Sequence, residues 1–188
     1  MINVLITVNV YSIIAVLVVG IAVAVYIVGR QRSKNRDRIV EEFRGMNFTS
    51  EDELSWYIAH DAMGAAGFPD CVVYKVDRTN QVCRQVAAFG PKNPDKMSIL
   101  NPINIPFGRG IVGHVAQNGT IEKIDDTTKD PRYVPDDDVR YSELSVPVLK
   151  DDVCVMVIDC EHKNPSWFKD SDVDFVKQVA EIAARKLN

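Results

Sequence analysis

Three carboxylates, Glu143, Asp159 and Glu161, sit at or inside the ends of two apolar runs, SELSVPVL (142–149) and VCVMVIDCE (153–161). Both runs have the length and composition of strands, and Lys150-Asp151-Asp152 between them reads as a hairpin connection. Which carboxylates meet depends on that connection. A three-residue loop pairs Leu149 with Val153 and sets Glu143 directly opposite Asp159, with Glu161 two residues on and facing the same way. A two-residue loop at Asp151-Asp152 moves the register by one and sets Glu143 opposite Cys160. In the first register, opposed like charges cost roughly 0.2–1 kcal/mol when exposed and several times more when buried. Water, a protonated carboxyl, a protein cation such as Arg132 or Arg140, or a ligand ammonium would compensate. Two readings stand: the acids end their strands at a solvated rim, or they form a recognition site for a cation or an amino group.

The loop DDTTKDPRYVPDDD (125–138) leads towards the first of these strands. Its Asp130-Pro131-Arg132-Tyr133 stretch is either a turn packed onto the body by its Arg and Tyr, or a lid whose Arg132 pairs bidentately with a ligand carboxylate. An amino acid offers both an ammonium and a carboxylate. Glu143, Asp159, Glu161, Arg132, Tyr133 and Asp126 therefore form the candidate ligand-binding set.

Several elements must position these residues. Ser50-Glu51-Asp52-Glu53 has the form of a capping box and predicts a helix from about Glu51 to Met63, ending before Gly64. CVVYKV and QVCRQVAAF, separated by Asp77-Arg78-Thr79-Asn80, predict a hairpin, and PKNPDKMSILNP predicts a loop. IPFGRGIVGHVAQNGT predicts a short helix entered through a glycine turn and left through Asn118-Gly119; it lacks a complete phosphate-loop pattern. IEKID predicts a strand, and a helix should close the chain from about Lys169 to Lys186. This order implies an α+β domain on an antiparallel sheet.

Ahead of that body, residues 3–29 contain no charged side chain, and Arg30, Arg32, Lys34, Arg36 and Arg38 follow. Val4 to Val28 would span about 37 Å as a helix, enough to cross a hydrocarbon core of about 30 Å. A cleaved signal peptide competes through Ala22-Val23-Ala24, although the basic n-region is missing and the apolar run continues beyond. The expected organisation is a transmembrane anchor at 1–29, a basic juxtamembrane linker at 30–48 and a globular domain at 49–188. The basic excess after the span places Met1 outside and the domain in the cytoplasm, at the inner membrane. The body after Gly45 carries 16 Lys/Arg against 23 Asp/Glu without aromatic-basic interleaving, which argues against nucleic acid as a partner. Cys71, Cys83, Cys154 and Cys160 occur singly in strand-like runs, without metal-ligand spacing, and read as reduced core residues. No cofactor or metal is expected.

The ordered set GRGIVGHVAQNG, IDDTTKDPRY, SELSVPV, VIDCEH and WF ahead of an acidic helix start resembles a GAF domain of the type found in bacterial sensor histidine kinases. The resemblance covers nearly the whole body, from about Ser50. It implies a six-stranded antiparallel sheet, helices on one face that often dimerise, and a small-molecule pocket on the other. The NKFDE signature of cyclic-nucleotide-binding members is missing, and no Cys-His pair resembles a bilin attachment site. Among enzymes the motifs are most similar to the free methionine-(R)-sulfoxide reductases. Glu143, Asp159 and Glu161 fall on the three carboxylates that in those enzymes hold the amino group of the free amino acid. Val112 stands where a redox cysteine is needed, and the loop before Ser142 has none, so thiol catalysis is not expected. The resemblance implies a sensory module that binds a small molecule and signals through a partner or a homodimer, because no kinase, cyclase or phosphodiesterase region is recognised. The alternative is a GAF body that has lost its ligand and serves as a scaffold or accessory subunit of a membrane complex.

Overall fold

The computed structural model of the chain describes residues 10–93, 98–135 and 138–187. The Val4 to Asn9 part of the expected span and parts of two predicted loops, 94–97 and 136–137, lie outside the described residues. The chain divides between Asp37 and Arg38 into two compact units. Most of the first is helix α1 (Val10–Gly45), which runs on across the division. It is long and apolar enough to cross a membrane, a test that a signal sequence near the N-terminus also meets, and its large apolar side chains from Ile13 to Val28 are exposed.

The second unit is a six-stranded antiparallel sheet in the order β3-β2-β1-β6-β5-β4. Its strands are β1 (Cys71–Asp77), β2 (Val82–Phe89), β3 (Asn104–Pro106), β4 (Glu122–Ile124), β5 (Ser142–Lys150) and β6 (Val153–His162). Side chains alternate between the faces of a pleated strand, and β1 divides accordingly. Cys71 and Val73 join one core with Leu144, Val146, Met156 and Ile158; Val72 and Tyr74 join another with Ile111, Val112 and Val157. Helices α2 (Glu51–Tyr57) and α4 (Asp170–Lys186) supply the first core and α3 (Gly110–Asn118) the second. Phe43, Ile39 and Val40, from the stretch expected as a linker, are buried in the first core. Lys186 fastens that end of α1, donating from Nζ to the Met46 carbonyl at 2.6 Å and the Arg44 carbonyl at 3.2 Å.

Local signals place most of these elements. Ser50 caps α2 by accepting from the Glu53 amide at 3.1 Å. Glu53 reaches back one residue further than a standard box, accepting from both the amide and the hydroxyl of Thr49 at 2.7 Å. The predicted helix at 51–63 changes character half-way: after Tyr57 it continues as a π-helix, Ile58–Gly64. Helix α3 ends on Gly119, whose φ of 68° suits a residue without a side chain. A Cβ on Gly113 would lie 2.3 Å from the Pro106 carbonyl, so only glycine lets α3 sit this close to β3. Strand β3 lies just beyond a stretch predicted as a loop; three residues ending in proline give no strand pattern, and pairing with β2 creates it.

The candidate ligand cavity

Between α3 and the sheet lies a cavity of about 290 Å³. Its acidic wall is Glu143, Asp159 and Glu161, its apolar walls include Ile103, Ile105, Ile111 and Val112, and Arg109 and Tyr74 add polar groups. The three acids meet there because of two irregularities in the β5/β6 hairpin. The connection is a two-residue turn at Asp151-Asp152, both at positive φ (51° and 61°), as a tight hairpin turn requires. A bulge follows, in which Leu149 pairs with Cys154 but Val148 pairs with Met156. Glu143 therefore faces Glu161, and Ser145 faces Asp159. Neither register expected from the sequence is the observed one. The two-residue turn moves the pairing by one residue and the bulge by one more, which restores all three carboxylates to one face.

Glu143 and Asp159 are each only 4% exposed, and Glu161 is half-buried. The buried Ser145 hydroxyl lies 2.5 Å from Asp159 Oδ1 and 3.2 Å from Glu143 Oε1. One hydroxyl proton cannot serve both acceptors, so at least one carboxyl needs another source. Burial holds the Glu143 carboxyl well above the usual carboxylate range; the charges of Asp159 and Glu161 and a hydrogen bond with Asp159 push the same way. Tyr74, in the cavity lining, accepts from Gln85 Nε2 at 2.9 Å, and Gln85 Oε1 in turn accepts from the Ile103 amide at 3.0 Å. No group of three His, Cys, Asp or Glu side chains among the described residues is arranged to hold a metal ion.

The other candidates lie elsewhere. Arg132 faces carboxylates of its own chain: it donates to Glu122 Oε1 and Oε2 at 2.9 and 3.1 Å, and to Asp130 Oδ1 and Oδ2 at 3.0 and 2.7 Å. These bonds hold the Asp130 carboxyl below its usual value. The fork proposed for a ligand carboxylate thus fastens the loop to β4. Asp126 caps a single 3₁₀ turn (Thr127–Lys129), accepting from the Thr128 amide at 3.2 Å, and pairs with Lys129; it does not line the cavity. Tyr133 binds the frame, its hydroxyl accepting from the Arg140 amide at 2.9 Å. Burial pushes the Tyr133 phenol up, and Glu161 and Glu143 add to the effect. Arg140 itself is 1% exposed and pairs with Asp70 at 2.8 Å. Val134 and Pro135, the next residues of this strap, line the cavity.

Sequence reasoning missed Tyr74, Ser145 and Arg109. Ser145 and Tyr74 were within reach of strand alternation, being two residues from Glu143 and on the Val72 face of β1. Arg109 stood in the quoted GRG motif without a role. It is exposed at the start of α3, and its guanidinium has no carboxylate partner among the described residues. The four cysteines are buried, free and outside the cavity lining. Burial pushes the Cys83 thiol up to about 12 and the Cys154 thiol up to about 11, which suits packing and not nucleophilic chemistry.

The sequence matches the GAF domain family over residues 53–187. This chain belongs to that family. GAF domains are generally regulatory modules that bind small molecules and are mostly not enzymes. Among curated relatives, protein YtsP of Bacillus subtilis (strain 168) is 30% identical over 103 residues, covering 51% of this chain and 63% of the relative. Protein ZMO0507 of Zymomonas mobilis is 30% identical over 86 residues, covering 45% of this chain and 53% of that one. The match thus spans less than two thirds of either relative. Among solved structures, the GAF domain of an Acinetobacter phosphoenolpyruvate-protein phosphotransferase superposes with a TM-score of 0.68 at 23% identity, covering 83% of this chain and 92% of that one. The free methionine-R-sulfoxide reductase from Neisseria meningitidis in complex with its substrate gives 0.67 at 20% identity, covering 82% and 87%. At these identities the likeness is one of fold.

Proposed function

We propose that this GAF chain is a membrane-anchored cytoplasmic sensory module whose cavity binds a small primary amine, an amino acid or another zwitterion, and which signals through a partner protein or a second copy without catalysis of its own. The observation that carries the reading is the wall of three carboxylates, two of them nearly fully buried, opening into a cavity with apolar sides. A buried acidic wall costs several kcal/mol unless a cation or a proton compensates it. An ammonium offers three N–H donors to such a wall, and the apolar sides suit an aliphatic body. Arg109 at the mouth replaces Arg132 as the group for a ligand carboxylate.

The reductase among the structural neighbours binds a free amino acid derivative, which supports the ligand class. Catalysis of that kind is disfavoured by Val112 and by the lack of any cysteine in the described cavity lining. A body without a ligand would be expected to fill its cavity with side chains, and this one leaves about 290 Å³. The anchor reading rests on α1 and on the basic residues that follow its apolar part.

The test is calorimetric titration of the full chain in detergent micelles against free amino acids, methionine sulfoxide and simple alkylamines. Binding that disappears in Asp159→Asn supports the reading. A folded protein that binds none of the panel overturns it. Crosslinking in membranes that traps only monomers would remove the second-copy route and leave the partner route.

A further inference from the structure

Beside α2 the second unit carries an open groove of about 610 Å³ that shares no lining residue with the ligand cavity. We propose that this groove is a docking site for a partner protein, through a segment of that partner that presents an arginine between apolar side chains. The inference rests on the partner route of the reading above, whatever fills the cavity, and names the chemistry of that partner.

Glu53, Trp56, Tyr57, His60 and Asp61 recur three and four residues apart and so share one face of the helical stretch from α2 into the π-helix. Met46, Asn47 and Phe48, between α1 and α2, complete the lining. The groove is aromatic. His60 packs on Trp56 and Phe89 with ring centroids at 5.6 and 5.3 Å, and Tyr57 on Phe43 and Phe48 at 4.9 and 5.3 Å. This cluster already takes one cation from its own chain, since Lys186 Nζ stands 5.6 Å from the Phe43 centroid and 5.8 Å from that of Phe48. Among the described residues no Lys or Arg stands over Trp56 or Tyr57, although an indole face attracts a cation best.

The charges in the lining, Glu53 and Asp61, are both negative. The Thr49 amide and hydroxyl both donate to Glu53 Oε2 at 2.7 Å and hold this carboxyl below its usual value, while Asp61 is exposed and has no ion pair among the described residues. Burial raises the Tyr57 phenol, and the charges of Asp61 and of Glu42, itself paired with Arg38, add to the effect.

This sign selects the occupant. A two-fold contact between copies centred here would set Glu53 and Asp61 against their own equivalents, and anionic headgroups meet the same repulsion. A small free cation would leave most of so open a groove wet. Arginine suits each part: its planar guanidinium stacks on an indole or phenol face and forks onto a carboxylate. Apolar neighbours of that arginine would cover Phe48 and Met46, which is 38% exposed and has the flexible side chain of an adaptable surface. Tryptophan and tyrosine are residues on which interface energy concentrates, and π-helical turns, such as the one carrying His60 and Asp61, are frequent at functional sites.

The experiment uses the two tryptophans of the chain, Trp56 and Trp167, as reporters. The full chain labelled with 5-fluorotryptophan, in maltoside micelles, gives two fluorine resonances, and Trp56→Phe identifies the one in the groove. The probes are acetyl-Ala-Leu-Arg-Leu-Ala-amide and the same peptide with citrulline for arginine, which keeps the shape and loses the charge. The expected result is a saturable shift of the Trp56 resonance alone, with affinity about tenfold lower for the citrulline peptide and about tenfold lower in the Glu53→Gln/Asp61→Asn double variant at an unchanged melting temperature. No shift with arginine peptide up to about 10 mM, weaker than any useful docking contact, overturns the proposal. Equal affinity for the two peptides overturns it as well. So does a Trp56 shift without peptide, whether on adding phosphatidylglycerol or phosphatidylcholine, which would give the groove to lipid, or on raising the protein concentration, which would give it to a second copy. Amino acid binding measured by calorimetry on the same preparation reads the cavity separately, so failure of the docking site leaves the ligand reading standing.

Discussion

Glu143 of β5 and Glu161 of β6 stand directly opposite one another, and a single residue, Val155, makes them do so. The two-residue turn alone would set Glu143 opposite Cys160, turning Asp159 and Glu161 towards the helices on the other face. The extra residue between Cys154 and Met156 corrects this, and Val155 packs against the helix-side core. The bulge is thus what brings the acids into the cavity.

Deleting Val155 should prevent folding, because it drives two carboxylates towards an apolar core. Val155→Ala should cost only about 1 kcal/mol, as a partly buried truncation does. Urea denaturation of both variants checks this. A deletion variant as stable as Val155→Ala would mean that the turn can re-register to absorb the loss.

Glu143→Gln should stabilise the protein at high pH. The folded-state value of Glu143 is raised above that of the unfolded chain, so its contribution is fully present at low pH and is lost as pH rises through the folded-state value. Glutamine cannot ionise and removes that loss. The gain over wild type should be small near pH 5 and grow to about 1–3 kcal/mol in alkaline solution. Chemical denaturation across that range measures it, and a gap that does not vary with pH would contradict the burial argument.

Arg140→Ala should be among the most damaging single changes outside the apolar core. The guanidinium is 2% exposed and lies 2.8 Å from an Asp70 carboxylate that is 5% exposed. Its backbone amide and carbonyl also fasten the strap, through the Tyr133 hydroxyl and the Thr127 hydroxyl respectively. Removing one partner strands a buried charge, which costs about 3–5 kcal/mol. A loss below about 1 kcal/mol would show that water reaches Asp70 once the arginine is gone.

These residues also show what could be read from the chain. Five of the six strands, the closing helix and the glycine exit of α3 were legible because each carries a local signal: alternation, helical spacing, or Asn118-Gly119. The acidic set was legible as residues but not as a register, because the bulge between Leu149 and Val148 leaves no mark in the letters. Arg132 was misplaced for a different reason. A DPRY stretch offers a free fork on paper, and only the fold brings Glu122 of β4 under it. Strand β3 and the cavity role of Arg109 likewise arise from long-range packing.

Gly113→Ala should destabilise the protein by about 1–3 kcal/mol although alanine is the better helix former. The added methyl meets the Pro106 carbonyl, so α3 must lift away from β3. Because Pro106 and Ile111 both line the cavity, ligand affinity should fall together with stability. Denaturation and ligand titration on the same variant test the coupling; an unchanged melting temperature would mean that α3 shifts freely.

Arg132→Ala and Arg109→Ala should separate structure from recognition. Arg132 bridges two carboxylates and is 29% exposed, so its loss should cost about 1 kcal/mol or somewhat more of stability. It should change amine affinity little, since the residue lies outside the cavity lining. Arg109 has no carboxylate to strand among the described residues, so its loss should leave stability within about 0.5 kcal/mol. It should instead weaken amino acids more than alkylamines of the same length, by roughly tenfold if one charge-assisted pair is lost. That difference between ligands is the decisive reading. Equal losses for the amino acid and the amine would place the ligand carboxylate away from Arg109.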